Sequence, residues 1–165
     1  MNNILFLQLR LKLADLMLQL LRLQTKQNPN KGYILYEVAK GCIGKDMAPL
    51  ENEYGCMEAL NAIFKKAFGI EIGGGLSTYN GYLALQNPKR FQRIFSPDLG
   101  DIIISPTGFG NEKIPNGHVG IISSNEKIMS NTSHNGLWLE NYTLKEWEAR
   151  YKIKGGYPIY FFRVI

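Results

Sequence analysis

The sequence contains few side chains of the kinds that bind metals or form disulfides. Its 165 residues include only two cysteines and two histidines. Two cysteines exclude a disulfide-stabilised scaffold and the four-cysteine zinc modules. The four side chains, Cys42, Cys56, His118 and His134, include no closely spaced pair of ligands. We therefore expect no metal site, and the chemistry considered below requires no metal or organic cofactor.

Long apolar runs and nucleic-acid-binding motifs are also absent from the sequence. No stretch reaches 18 consecutive apolar residues, so no transmembrane helix is predicted. The leucine-rich start lacks a positively charged first segment and a small-residue cleavage site, and we expect it not to act as an ordinary secretion signal. The sequence holds no RNA-recognition motif, zinc finger or basic cluster interleaved with aromatics, so we expect no nucleic-acid partner.

The positive charge is concentrated at the beginning of the chain. Residues 1–31 carry five Lys or Arg and one Asp, which is +4 of the total net charge of +5. Within this part, leucines and polar residues recur at steps of three and four, and this spacing predicts an amphipathic helix over 4–26. The polar segment 27–32 contains Pro29 and Gly32 and predicts a linker. We therefore divide the chain into a helix with its linker, 1–30, and a domain, 31–165.

The remainder of the chain changes from helical to strand periodicity along its length. Helices are predicted over 33–40, 56–68 and 79–86, with Gly69 as the C-terminal cap of the second. Thr143 and Glu146 predict a capping box at a further short helix. Apolar runs bounded by turn residues predict five strands, over 101–105, 118–123, 127–133, 137–142 and 158–165. Helices followed by a meander of strands indicate an α+β fold with an antiparallel sheet.

Cys56 and His118 are the candidates for nucleophilic chemistry. Cys56 begins a predicted helix, where the helix dipole and unpaired N–H groups should lower the pKa of its thiol. His118 begins a predicted strand after the turn Pro115-Asn116-Gly117 and could supply the base that a thiol nucleophile needs. The structural alternatives are a buried cysteine that acts as a small hydrophobe and a surface histidine.

A base of this kind also needs a polar group to orient its ring, and the next strand offers two. If Asn125 and Glu126 form a two-residue hairpin loop, Gly120 opposes Asn131, and Asn131 then lies diagonally from His118 on the same face. A three-residue loop would shift the register and bring Ser130 to this position instead. Asn131 is the first choice for the third residue, and Ser130 is the alternative.

These residues together resemble the NlpC-type and CHAP-type cell-wall peptidases. The resemblance covers roughly residues 33–165 and is most specific at LGDIIISP and GHVGI, with a weaker match at YGCMEALN. It implies a papain-like fold, in which the helix that bears the nucleophile packs on an antiparallel sheet. It also implies that Cys56 is the nucleophile, that His118 is the base, and that Tyr54 is the aromatic residue two places before the nucleophile. The usual Asp-Cys-Ser-Gly is replaced by Gly55-Cys56-Met57-Glu58, which indicates a divergent member.

The function that this resemblance implies is hydrolysis of an amide bond in peptidoglycan by a Cys/His thiol mechanism. Tyr54 and Ser130 are further candidates for oxyanion or substrate contacts. Such an enzyme acts at the bacterial cell wall, and without an ordinary signal it would be phage-encoded, virion-associated or specially exported. The alternatives are a thiol acyltransferase or lipid-processing relative and a non-catalytic phage structural module. The N-terminal helix could dock on its own domain, self-associate or contact a membrane.

Two further features have simpler interpretations. Asp101, which precedes an apolar strand, could be an acid but is expected to tie down a turn. The segment Gly73-Gly74-Gly75 lacks the ending of a phosphate-binding loop and is expected to let backbone approach the cleft, with Ser77 and Thr78 nearby.

Overall fold

The computed structural model describes residues 10, 12–13, 16, 30–50 and 54–165. The chain divides into two compact units, Met1–Asn30 and Lys31–Ile165. The amphipathic helix predicted over 4–26 and the linker at 27–32 lie mostly outside the described residues; Arg10, Lys12, Leu13 and Leu16 are helical. No helix in the described ranges is both long and apolar enough to span a bilayer.

The second unit is an α+β domain, as predicted. Its helices are α1 (Lys31–Lys40), α2 (Cys56–Phe68), α3 (Thr78–Leu85) and α4 (Leu144–Trp147), and a π-helix, Glu148–Lys154, continues directly from α4. Its strands are β1 (Phe91–Ile94), β2 (Ile102–Ser105), β3 (His118–Ile122), β4 (Lys127–Asn131), β5 (Trp138–Thr143) and β6 (Tyr160–Val164). They form one antiparallel sheet in the order β1-β6-β2-β3-β4-β5.

Local sequence signals account well for the helix ends. Gly69 ends α2 in the left-handed conformation, with φ at 76°, and its N–H donates to the carbonyl of Lys65. The predicted capping box is also present, since Thr143 accepts from the backbone of Glu146 while the Glu146 carboxylate accepts from the backbone of Thr143. Strand β1 and the π-helix were not predicted from the sequence.

Apolar clusters cover both faces of the sheet, and β2 contributes residues to each of them. Ile102 and Ile104 belong to the larger core cluster, which also contains residues of α1, α2 and α3. Ile103 points the other way and joins a second cluster with Trp147 and Tyr151. All three isoleucines are fully buried. Helix α2 packs on β3 and β4, so the start of α2 lies at the edge of the first core.

The hairpin between β3 and β4 differs from the predicted one. The connection is a turn of 3-10 helix, Ser124–Glu126, and Glu126 adopts a φ of 59°. Gly120 therefore pairs with Ser130, whereas the two-residue loop predicted Asn131 at this position. The predicted first-choice register is wrong, because the turn consumes three residues and displaces β4 by one position.

The glycine-rich loop before α3 is held by one buried side chain, Asn61 of α2. Its amide nitrogen donates to the carbonyls of Gly73 and Gly75 at 3.3 and 3.2 Å. Its amide oxygen accepts from the N–H groups of Ile72 and Gly73 at 3.1 and 3.2 Å. A Cβ at Gly74 would lie 2.3 Å from the backbone nitrogen of Gly81, so this approach of the loop to α3 requires glycine.

Replacing Asn61 by alanine should lower the free energy of unfolding by about 2–4 kcal/mol, because several loop groups would lose their partner. Asn80→Ala, at an exposed position of α3, should change it by less than about 0.5 kcal/mol. Urea unfolding of both variants measures this difference. Equal stabilities of the two variants would show that the loop does not depend on Asn61.

Candidate active site

One cleft contains both candidates for nucleophilic chemistry. It encloses about 690 Å³ and is lined by the start of α2, the loop before α3, the β2–β3 loop, the ends of β4 and β5, and the π-helix. Cys56 and His118 both line it, as do Tyr54, Asn131 and Asn141. The fold therefore brings together residues that are 62 positions apart in the sequence.

The thiol of Cys56 lies at the N-terminus of α2, as predicted. The N-cap residue, Gly55, offers no side chain to the first turn, so N–H groups remain for other acceptors. The sulfur receives backbone N–H groups of Met57 and Val119 as well as its own. Val119 belongs to the face of β3 that α2 covers, whereas His118, one residue earlier, points to the other face, where its ring stacks on Trp147 and Tyr151.

The acidity of this thiol differs from the sequence expectation. Burial raises the pKa of Cys56 from 9.0 to about 11, although the three backbone N–H groups act in the opposite direction. The expected lowering is therefore wrong, because the loss of water around the sulfur outweighs the helix terminus. Cys56 remains half-buried and in the thiol form at neutral pH.

The imidazole of His118 is held by a chain of two polar side chains. Its Nε2 lies 3.0 Å from Oγ of Ser130, and Ser130 Oγ donates to Oδ1 of Asn141 at 2.7 Å. A serine hydroxyl has one proton, which here goes to Asn141, so Ser130 accepts from the N–H at Nε2. The neutral ring is therefore the Nε2–H tautomer, and its lone pair lies on Nδ1.

Aromatic rings surround the same imidazole. His118 stacks on Trp147 and Tyr151, with ring centroids 5.3 and 5.7 Å away, and Tyr142 approaches edge-on at 6.0 Å. This burial, together with the positive charge of Arg150, lowers the pKa of His118 to about 4. The ring is therefore neutral across the physiological pH range and available as a proton acceptor.

The third member of this arrangement is Asn141, which the sequence did not predict. It lies at an irregularity of β5, where Ile128 pairs with Tyr142 but Met129 pairs with Glu140. Asn141 is the unpaired extra residue of this bulge, and bulges redirect a side chain out of the regular alternation. A bulge of this kind is defined by how β4 and β5 pair in the folded sheet. Local sequence patterns therefore contain no signal for it.

Asn131 and Tyr54 occupy the cleft without joining the His118 chain. Asn131 follows Ser130 and so points to the opposite face of β4, which corrects its assignment as the residue that orients His118. It is 2% exposed, and within the described part of the chain its Oδ1 meets no hydrogen-bond donor. Tyr54 lies two residues before Cys56, with half of its surface exposed.

Two threonines connect the loop before His118 to helix α3. The hydroxyls of Thr78 and Thr107 lie 2.8 Å apart, and the N–H of Thr107 donates to Thr78 Oγ1. Thr107 Oγ1 in turn accepts from the N–H of Gly117 at 2.8 Å. Because Gly117 precedes His118, this network fixes the backbone from which the imidazole projects.

The other candidates from the sequence lie elsewhere or have structural roles. Asp101 is buried, binds Arg163 through both oxygens at 2.9 and 2.7 Å, and accepts from the N–H of Asp98, so it ties down the turn as predicted. Cys42 is buried in the core, and His134 is exposed at the rim of the cleft. The described ranges contain no group of three or more His, Cys, Asp or Glu placed to share a metal ion.

Alkylation of Cys56 by iodoacetamide should accelerate up to a midpoint near pH 11, because thiolate forms only as the pH approaches the raised pKa. His118→Ala should slow the reaction at neutral pH by removing the proton acceptor. Mass spectrometry of the labelled peptides separates Cys56 from buried Cys42. A midpoint below pH 8.5 would contradict the neutral pair and indicate a preformed thiolate–imidazolium pair.

Ser130→Ala should lower the rate of the thiol chemistry by about 10- to 100-fold, because His118 loses the acceptor that sets its tautomer. Asn141→Ala should have a smaller effect in the same direction. Asn131→Ala, on the opposite face of β4, should leave the pH profile of the reaction unchanged. If Asn131→Ala shifts that profile and Ser130→Ala does not, the hydrogen-bond chain described here is not the functional one.

No protein-family model matches the sequence, and no curated protein matches it significantly.

Proposed function

We propose that this protein is a papain-like thiol hydrolase that cleaves an amide bond of bacterial peptidoglycan. One observation carries the thiol chemistry: Cys56 and His118 line the same cleft, and the Ser130–Asn141 chain sets the proton of His118 on Nε2. The packing of the Cys56 helix on strands β3 and β4 supports a papain-like arrangement.

The proposed reaction begins from a neutral pair. The Cys56 sulfur attacks the amide carbonyl carbon while Nδ1 of His118 takes the thiol proton, and the carbonyl oxygen becomes an oxyanion. The N–H of Cys56 stabilises this oxyanion, with Tyr54 as a neighbouring donor. His118 then gives its proton to the leaving nitrogen, the C–N bond breaks, and a thioester remains on Cys56.

Water completes the cycle by the same groups. His118 Nδ1 takes a proton from water as the water oxygen attacks the thioester carbon. The C–S bond breaks, the sulfur regains a proton from His118, and the product carboxylate leaves. A neutral resting pair is compatible with both acylation and deacylation, because the imidazole accepts one proton and returns it in each of these two steps. No metal or organic cofactor takes part in this scheme.

The choice of peptidoglycan as substrate rests on the resemblance of LGDIIISP and GHVGI to the NlpC-type and CHAP-type peptidases. The scissile bond would lie within the stem peptide or at its junction with the sugar. The proposed site of action is the bacterial cell wall. Residues 1–30 would serve as an association element.

Digestion of purified peptidoglycan followed by mass spectrometry tests this proposal. We expect soluble fragments whose masses show addition of water across one type of amide bond. Cys42→Ala should release the same fragments, whereas Cys56→Ala should release none. Transfer of an acyl group to an added amine without net hydrolysis would support a thiol acyltransferase instead. If the folded protein catalyses neither hydrolysis nor acyl transfer, the result would favour a non-catalytic structural module.

A further inference from the structure

The charge around the cleft is of one sign. Of the side chains that the structure describes along its walls, Arg150 is the one with a permanent charge, and none is Asp or Glu. The described ion pairs join Lys65 to Glu71, Lys127 to Glu140 and Arg163 to Asp101, so none of them involves Arg150. The cleft therefore presents an unneutralised guanidinium within its described walls.

This guanidinium lies close to the proposed reaction centre. Arg150 belongs to the π-helix, and its Cζ lies 5.6 Å from the ring centroid of Tyr151. The Tyr151 ring stacks on His118 with an interplanar angle of 16°. The guanidinium also hydrogen-bonds the Tyr151 side chain, so the positive charge and the imidazole both contact the same tyrosine. The charge also helps to lower the pKa of His118, which is consistent with this proximity.

We propose that Arg150 binds a carboxylate of the substrate beside the scissile amide, so that the enzyme selects a free acid over the corresponding carboxamide. This inference rests on the proposed function and names the chemical class of substrate for the same site. A guanidinium presents a planar fork of N–H donors that matches the two oxygens of a carboxylate. A carboxamide has nearly the same shape but no charge, so it loses the charge-assisted part of this contact.

Peptidoglycan stem peptides offer carboxylates of two origins, an internal one on a residue within the peptide and the one at its C-terminus. Both present the same chemistry to Arg150. A set of synthetic stem peptides therefore distinguishes them: the free acid, a peptide amidated at the internal carboxylate, and a peptide amidated at the C-terminus. The carboxylate whose amidation lowers activity in the wild type, but not in an Arg150 variant, is the one that Arg150 binds.

The experiment compares the wild type, Arg150→Gln, Arg150→Lys and Lys152→Gln on this set. We expect the wild type to prefer the free acid by about 10- to 100-fold in kcat/KM, mainly through KM. Arg150→Gln should remove this preference by losing activity on the free acid alone. Arg150→Lys should retain part of it, since the charge remains without the fork. Lys152→Gln removes the same charge from an exposed position of the same π-helix and should retain the full preference.

Equal kcat/KM of the wild type on the free acid and both carboxamides would overturn the inference, as would a preference that survives Arg150→Gln. Either result leaves the proposed hydrolase function intact. If no peptide is cleaved, the proposed function fails, and calorimetric binding of the same peptides to Cys56→Ala, with and without Arg150→Gln, still tests the carboxylate contact. Tighter binding of the free acid that requires Arg150 supports it, and equal binding overturns it.

Discussion

Cys56→Ala is expected to reduce hydrolysis of peptidoglycan by at least about a thousandfold, because no other group can form the thioester. The fold should remain, since the side chain is half-buried and lies at a helix terminus whose N–H groups water can then reach. Peptide release measured by mass spectrometry, beside circular dichroism and thermal unfolding, gives both quantities for the same sample.

Cys42→Ala is the matched control for this experiment. It removes the other thiol of the chain from a buried position in the core, so it can cost some stability but should keep the activity. Activity that disappears with Cys42 and persists without Cys56 would show that the nucleophile has been misassigned. The two variants together thus separate a chemical role for sulfur from a packing role.

His118→Ala should cause a loss comparable to that of Cys56→Ala, because the two residues act as a unit and without His118 no base accepts the thiol proton during the attack. In the wild type, kcat/KM should fall as the pH drops through about 4, where His118 becomes protonated and can no longer accept a proton. An ordinary histidine would place this limb near pH 6.5. The profile of kcat/KM from pH 3 to 8 measures it.

The same lowered pKa has a consequence for stability. Unfolding returns His118 to its ordinary pKa, so between about pH 6.5 and 4 the unfolded chain binds more protons than the folded one. The contribution of this group to stability is therefore present above pH 6.5 and is lost as the pH falls through this window. His134→Ala, which alters an exposed histidine, should keep both the acid limb and this stability profile. An acid limb at pH 6.5 in the wild type would contradict the buried, neutral imidazole.

Local sequence signals predicted the elements that carry the reacting groups. The helix at 56–68 could be recognised from its apolar spacing and Gly69, and the strand at His118 from its apolar run after a turn. The placement of Cys56 at a helix start and His118 at a strand start followed directly from these element ends. Both residues line one cleft, and their chemical roles await the variants above.

The residues around this pair depended on features that local patterns do not encode. The register of β4 is set by a three-residue turn in which a glutamate takes a positive φ, and the orientation of Asn141 by a bulge. The aromatic wall arises because a π-helix brings Tyr151 onto the imidazole. The pKa of Cys56 was misjudged for a related reason, since desolvation depends on the tertiary packing and the helix terminus does not.

The bulge in β5 places a residue that hydrogen-bonds the His118 chain outside the pairing of the sheet, whereas in a regular strand one residue would serve both purposes. Residues in a continuous ladder must satisfy their neighbours on both sides, so a substitution among them is constrained by pairing as well as by any chemistry. Asn141 is an insertion into that ladder and carries none of its pairs, although its side chain ends the hydrogen-bond chain from His118. The tuning of the base is thereby uncoupled from the stability of the sheet, and this position can vary during evolution without the strand losing its register.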